Sequence, residues 1–180
     1  MRSLSVHFFL MVTTLSGYCQ RYQTEQTKVT FYSEALIEDI TATNTKALGI
    51  VDVGSLQVAF SVPIIDFEFE KSLMKEHFNE KYMETERYPK ATFQGSIRNL
   101  EIDKKESQNV TASGTLSIHG VEKDVEIPGE ITFLKGDKMS IKSVLMVRLE
   151  DYDIEIPQVL WNNIAEEVEV TLEFWLKSSN

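Results

Sequence analysis

The chain has 180 residues, a formal net charge of −10 and a single cysteine, Cys19. That length suits one domain with enough material for a sizeable core. With 28 acidic against 18 basic residues, and only Lys104–Lys105 adjacent among the bases, the chain is repelled by nucleic acid and anionic surfaces.

Residues 1–19 are set apart from the rest. Arg2 supplies a small positive start, Val6–Val12 a short apolar run, and Gly17 and Cys19 small residues before Gln20. This is the pattern of a secretory signal peptide cleaved before Gln20, with a periplasmic or secreted location expected for residues 20–180. The apolar run is too short and interrupted to span a membrane, so no stable membrane insertion is expected. A lipidated Cys19 is the alternative, but Tyr18 stands where a lipoprotein signal needs a small residue. Cleavage removes one charge, Arg2, and moves the net charge from −10 to −11. It also removes the only thiol, and with it disulfides, thiol catalysis and thiolate metal sites.

Beyond Gln20 there is no Pro/Ser linker, low-complexity tract or internal repeat, as expected of a single domain. Strand patterns begin at Val29–Phe31 and continue through Leu48–Val53 and Leu56–Val62, with the turn residues Asp52–Val53–Gly54–Ser55 between the last two. The stretch Glu68–Glu86 differs: it is rich in Lys, Glu, Met and Leu and lacks Gly and Pro. Leu73, Met74, Phe78 and Tyr82 recur at helical spacing, which predicts a helix, capped in part by Ser72, lying against one end of the sheet structure. Tyr88–Pro89 ends it, because Pro disfavours helical geometry in the residue before it.

Strands resume at Thr92–Leu100 and Val110–Ile118. Val121–Ile127, Glu130–Leu134 and Ile141–Leu149 follow, with Pro128–Gly129 and Gly136–Asp137 as expected turns. Asp151, Asp153 and Glu155 alternate with Tyr152, Ile154 and Ile156, the pattern of an extended segment with a solvated face. The clearest alternation closes the chain, where Val168, Val170, Leu172, Phe174 and Leu176 interleave with polar residues. Many short strands with one apolar face predict an all-β sandwich or, more economically for removing edges, a closed antiparallel barrel.

Groupings that run reactions are missing. His77 and His119 are the only histidines after residue 19. His77 has no second ligand at helical spacing and is expected as a solvated or rim residue, and His119 is expected in a turn, bonded to nearby backbone. No Gly-x-Ser-x-Gly elbow or phosphate-cradling loop occurs. Asn109–Val110–Thr111 matches a glycosylation triplet, a pattern common by chance. No enzymatic activity, cofactor or metal site is expected. What the chain offers is bulk: Phe31, Phe60, Phe67, Phe69, Phe78, Phe93, Phe133 and Phe174 are candidates for an interior, either a packed core or the wall of a cavity.

Two segments carry a resemblance. Tyr88–Pro89–Lys90–Ala91–Thr92–Phe93–Gln94–Gly95 looks like a Tyr-Pro preceding a Thr-Phe strand. Gly114–Thr115–Leu116–Ser117–Ile118–His119–Gly120–Val121–Glu122–Lys123 looks like a Gly-x-Leu-x-Ile-His-Gly-Val-x-Lys hairpin. Together with the helix ending at His77–Phe78 they resemble the YceI-like family of lipid- and polyisoprenoid-binding proteins, over roughly Lys28–Lys177. The resemblance implies an eight-stranded, lipocalin-like antiparallel barrel with one helix near residues 70–85. It also implies export, and a hydrophobic small molecule or lipid, such as an isoprenoid quinone or polyprenyl chain, held non-covalently inside. The chain departs from the family pattern at Phe60–Phe67 and at Arg148–Pro157, places for a cavity wall or entrance.

On this reading alternation selects Phe60, Phe93, Ile97, Leu116, Ile118, Leu145, Val147, Leu172 and Phe174 as barrel lining, joined by Phe78 from the helix, which serves as a lid. Tyr82, Tyr88 and Tyr152, with Arg87, are expected at the mouth as partners for a polar head. The alternative is a filled barrel acting as an interaction or stress-response protein. A homodimer is left open, since no interface is identified.

Overall fold

The computed structural model describes residues 20–34, 39–156 and 165–179; the leader expected over residues 1–19 lies outside them. Ten strands form one antiparallel sheet: β1 (Arg21–Ser33), β2 (Ile40–Asn44), β3 (Leu48–Asp52), β4 (Gln57–Pro63), β5 (Glu68–Phe69), β6 (Lys90–Arg98), β7 (Gln108–Ile118), β8 (Val121–Leu134), β9 (Lys138–Arg148) and β10 (Glu167–Ser179). β2 and β3 both pair with β1 in a single register, Val29 opposite Asn44 and Gln23 opposite Ile50. They are therefore one stave interrupted at Thr45–Ala47. Asn44, fully buried, holds that interruption: its Oδ1 accepts the Lys46 N–H at 2.7 Å and its Nδ2 donates to the Pro63 carbonyl at 2.6 Å. The two-residue β5 extends the sheet beside β2.

Eight staves follow one another in chain order, and β10 closes against β1 along Arg21–Tyr32. The expected eight-stranded antiparallel barrel is the observed fold. Closure pairs the first and last strands and so removes the edges that β1 and β10 would otherwise present. Gly95 and Gly114 face each other between β6 and β7, so close that a Cβ on either would strike the opposite backbone. The two backbones approach this closely only because neither residue carries a side chain.

Three expectations are corrected. The helix is far shorter than Glu68–Glu86: α1 spans only Ser72–His77, and a wide π turn, Phe78–Tyr82, follows, with the Met83 N–H reaching the Phe78 carbonyl at 2.9 Å. Ser72 is the first helical residue, and the cap position falls to Lys71, which makes no side-chain capping bond. Packing overrides helical propensity, because Phe69, Met74, Phe78, Tyr82 and Met83 must all reach the barrel end. Pro128–Gly129 is no turn; it lies inside β8. Asp151–Ile156 is not extended but begins in a 3-10 turn, Leu149–Tyr152, followed by Asp153 in the left-handed region (φ 52°). That bend lets Tyr152 and Ile154 both become buried.

Candidate ligand cavity

The two ends of the barrel differ. At the end carrying the β3–β4 and β8–β9 turns, Val51, Met139 and Leu176 are fully buried, and Tyr22 meets Phe133 edge-on at 6.2 Å. These side chains belong to the buried core and are not among those that line the cavity above them. Above this floor the barrel holds a partly open cavity of about 400 Å³, running toward α1. Its size is that of a site for a small molecule.

Strand alternation determines the wall. Phe60, Phe93, Ile97, Leu116, Ile118, Leu145, Val147, Leu172 and Phe174 all face the cavity, and Phe78 reaches it from the π turn. Phe60 and Phe174 touch across the barrel with ring centroids 4.9 Å apart. Phe133, one of the aromatic candidates, belongs to the floor instead.

The far end is roofed by four rings. Phe31 stacks on Phe78 at 5.4 Å, and Phe67 and Phe69 contact both, at 5.0 to 5.7 Å. Each such ring pair contributes about 0.5–1.5 kcal/mol beyond its buried area. β1 brings Phe31 to three rings from the much later Phe67–Phe78 segment, a meeting that local periodicity does not reveal.

The cavity wall is chemically uniform. Among its described residues there is no Lys, Arg, Asp or Glu, and the titratable groups are His77 and Tyr82. His77 is half-buried and lines the cavity at its α1 end. Burial raises the Tyr82 hydroxyl above the ordinary tyrosine pKa, so it stays protonated and able to donate at neutral pH. Sequence reasoning missed Ser33, Thr92 and Ser143, the remaining hydroxyls on the wall. Ser33 and Ser143 already hold backbone groups: Ser33 Oγ accepts the Ala165 N–H at 3.0 Å, and Ser143 Oγ donates to the Pro128 carbonyl at 2.6 Å. The mean apolarity of those strands masked them.

Two mouth candidates are elsewhere. Tyr88 does not line the cavity: its ring packs against Gly120 and edge-on to His119 at 4.4 Å, with the Arg87 guanidinium over the ring, 5.0 Å from its centroid. Tyr152 is 4% exposed and also outside the cavity. Burial, then the Asp151 charge, raises its hydroxyl pKa. These residues form a clasp around the β7–β8 turn. His119 and Gly120 both have positive φ, 52° and 79°, as this tight hairpin turn requires. His119 Nδ1 donates to the Tyr152 carbonyl at 3.1 Å, a partner 33 residues away, not the nearby backbone expected. Its Nε2 lies 3.4 Å from a Glu84 carboxylate oxygen, without hydrogen-bond alignment.

This arrangement can hold an apolar body and exclude water. Among the described residues no three His, Cys, Asp or Glu side chains group to hold a metal ion, and no helix is long and apolar enough to cross a membrane.

A closed antiparallel barrel around an uncharged, apolar chamber places the protein among the lipocalin-like cavity barrels. Residues 21–176 match the model of the YceI-like domain. The chain belongs to the YceI-like family.

Solved structures agree on the fold. A polyisoprenoid binding domain from Saccharophagus degradans, implicated in plant cell wall breakdown, is 17% identical, with a TM-score of 0.77 over 88% of this chain and 98% of that one. BcnA of Burkholderia cenocepacia is 18% identical, with a TM-score of 0.67 over 83% and 95%. The YceI protein of Campylobacter jejuni is 16% identical, with a TM-score of 0.54 over 98% and 94%. A comparison with curated proteins finds no match.

Proposed function

We propose that this protein is an exported, non-enzymatic carrier that holds one long, apolar, uncharged amphiphile, of the isoprenoid quinone or polyprenol type, inside its barrel. The observation that carries this reading is the cavity wall: about 400 Å³ bounded by aliphatic and aromatic side chains with no charged residue among those described. Sequestering each methylene of a ligand from water contributes about 0.8 kcal/mol, whereas a buried phosphate would lack the cation its burial demands. The similarity to a polyisoprenoid binding domain supports the same class of ligand. The sequence of residues 1–19 supports export.

The test is to purify the protein natively, extract it with organic solvent and identify co-purifying lipid by mass spectrometry. Titration with a prenol and with the corresponding prenyl diphosphate follows. A neutral prenyl lipid in the extract, and tighter binding of the prenol, are expected. An extract free of lipid, together with no uptake of either chain, refutes the carrier reading and leaves a filled barrel acting through its surface.

A further inference from the structure

The barrel is not zipped all the way round. The β8–β9 ladder runs from Leu134 opposite Lys138 to Gly129 opposite Ser143 and stops there. Beyond that point Val121–Ile127 remain bonded to β7, and Val144–Arg148 remain bonded to β10. Among the described residues no pairing joins those two half-strands to each other. The two strands fork.

Pro128 explains where. Continuing the ladder by one step would set Pro128 opposite Val144. In a strand, the N–H and C=O of one residue point to the same side, and the Pro128 carbonyl reaches Ser143 on β9. The donor that proline lacks is therefore on the β9 side, and the ladder cannot pass through it. The Ser143 hydroxyl bonds that carbonyl instead, at the base of the fork.

The fork is framed by side chains. At its far end Lys123 of β8 meets Asp151, in the turn just after β9, at 2.5 Å, with both side chains about two-fifths exposed. Between the two frames the interior rim is apolar, with Ile127, Leu145 and Val147 facing the cavity. On the outside of β9, Val144 and Met146 are 50% and 57% exposed. Val110, Pro128, Gly129 and Ser143 line the internal cavity and also a groove on the outer surface. At Gly129, which has no side chain, little separates the two.

We infer that the β8–β9 fork is a lateral port through which the bound amphiphile enters and leaves the barrel, so that ligand exchange does not require the roof to open. The inference rests on the carrier reading for its ligand. Opening the roof would break five ring–ring contacts. Widening the fork breaks one half-exposed ion pair and one hydroxyl hydrogen bond, and at its far end loads the His119–Tyr152 bond of the clasp. The cheaper path is through the side, along an apolar rim that suits a prenyl tail.

The test measures entry and exit of N-phenyl-1-naphthylamine, a neutral apolar dye, by stopped-flow fluorescence, alongside a prenol, in a Cys19→Ser background. Glu126→Cys with Met146→Cys places two thiols on opposite lips of the fork, to be joined by a short bis-maleimide. Glu68→Cys with Lys75→Cys ties α1 to β5, where the native pair meets at 2.7 Å. Pro128→Val restores the missing donor and lets the ladder extend without any cross-link. Slowing of dye entry and exit by about tenfold or more is expected with the fork locked, a smaller slowing with Pro128→Val, and less than about twofold with α1 tied. Rates insensitive to both fork variants, or slowed mainly by the α1 tie, overturn the port. So does a dye that never enters the unmodified protein. If the dye obeys the fork while no prenol binds, the carrier reading fails and the port stands.

Discussion

Replacing Ala112 with phenylalanine separates a barrel with room inside from one already full. Ala112 is on β7 between Ile97 of β6 and Ile127 of β8, and all three side chains line the cavity. In a tightly packed core the added ring forces its neighbours off their rotamers and costs about 1–3 kcal/mol. In an open chamber it has somewhere to go, and burying a phenylalanine side chain contributes roughly 1.5–3 kcal/mol before the entropy of fixing it. The expected result is stability unchanged or raised by up to about 2 kcal/mol, read as a shift in urea midpoint at constant m-value. Ligand affinity moves the other way. A ring that excludes three methylenes of a prenyl tail removes about 2.4 kcal/mol, a loss of roughly fiftyfold in Kd. Fluorescence titration with a prenol reads it. A variant destabilised by more than about 1 kcal/mol that binds as before would show that Ala112 faces packed protein, and the reasoning from cavity to ligand would fail.

Other outcomes follow from the clasp and the charged frame. His119→Ala leaves the Tyr152 carbonyl without its donor in a buried site, and a loss of about 1–3 kcal/mol is expected in thermal or urea unfolding; a smaller change than about 0.5 kcal/mol contradicts the clasp. Gly120→Ala combines a positive φ of 79° with a Cβ driven into the Tyr88 ring, and is expected to destabilise at least as much as His119→Ala. The Lys123 hydrogen bond, the largest contribution, holds the Asp151 carboxyl below its usual pKa of 3.8. A depressed folded-state pKa gives stability that is present above the unfolded value and lost as pH falls through the folded one. Asp151→Asn is therefore expected to flatten the pH dependence of stability below about pH 4, in unfolding midpoints measured from pH 7 down to pH 2; an unaltered acid limb rules the pair out as a contributor. Intact-mass measurement of the protein recovered from its host is expected to show Gln20 as the first residue, and a mass that retains residues 1–19 refutes cleavage.

The strands were legible because a half-buried strand repeats every two residues, and Val168–Leu176 carries that alternation with little interruption. The same rule gave the inward face, which is why the nine strand residues selected as lining all meet the cavity. It could not give the length of α1. Lys, Glu and Met favour a helix, but Phe69, Phe78 and Tyr82 are drawn to one barrel end, and a six-residue helix with a π turn satisfies them. Nor could it place Tyr88 and Tyr152. Their positions are set by His119 and Gly120, contacts between segments about thirty residues apart that no local pattern encodes. Pro128–Gly129 carries turn chemistry, yet proline is also tolerated where a strand loses a neighbour, and only the pairing of β8 with β9 distinguishes the two.

The packed floor of Tyr22, Val51, Met139 and Leu176 has a consequence for chain length. A tube stopped at one end acts as a ruler. On the carrier reading, isoprene units are held until the leading end meets Ile131, Ile141 and Phe174, the wall residues just above Met139 and Leu176, and every further unit stays outside in water. Affinity should then climb by a constant increment per unit across a homologous series of prenols and level off at one length. Shaving the stop, with Met139→Ala, should move that plateau to a longer chain.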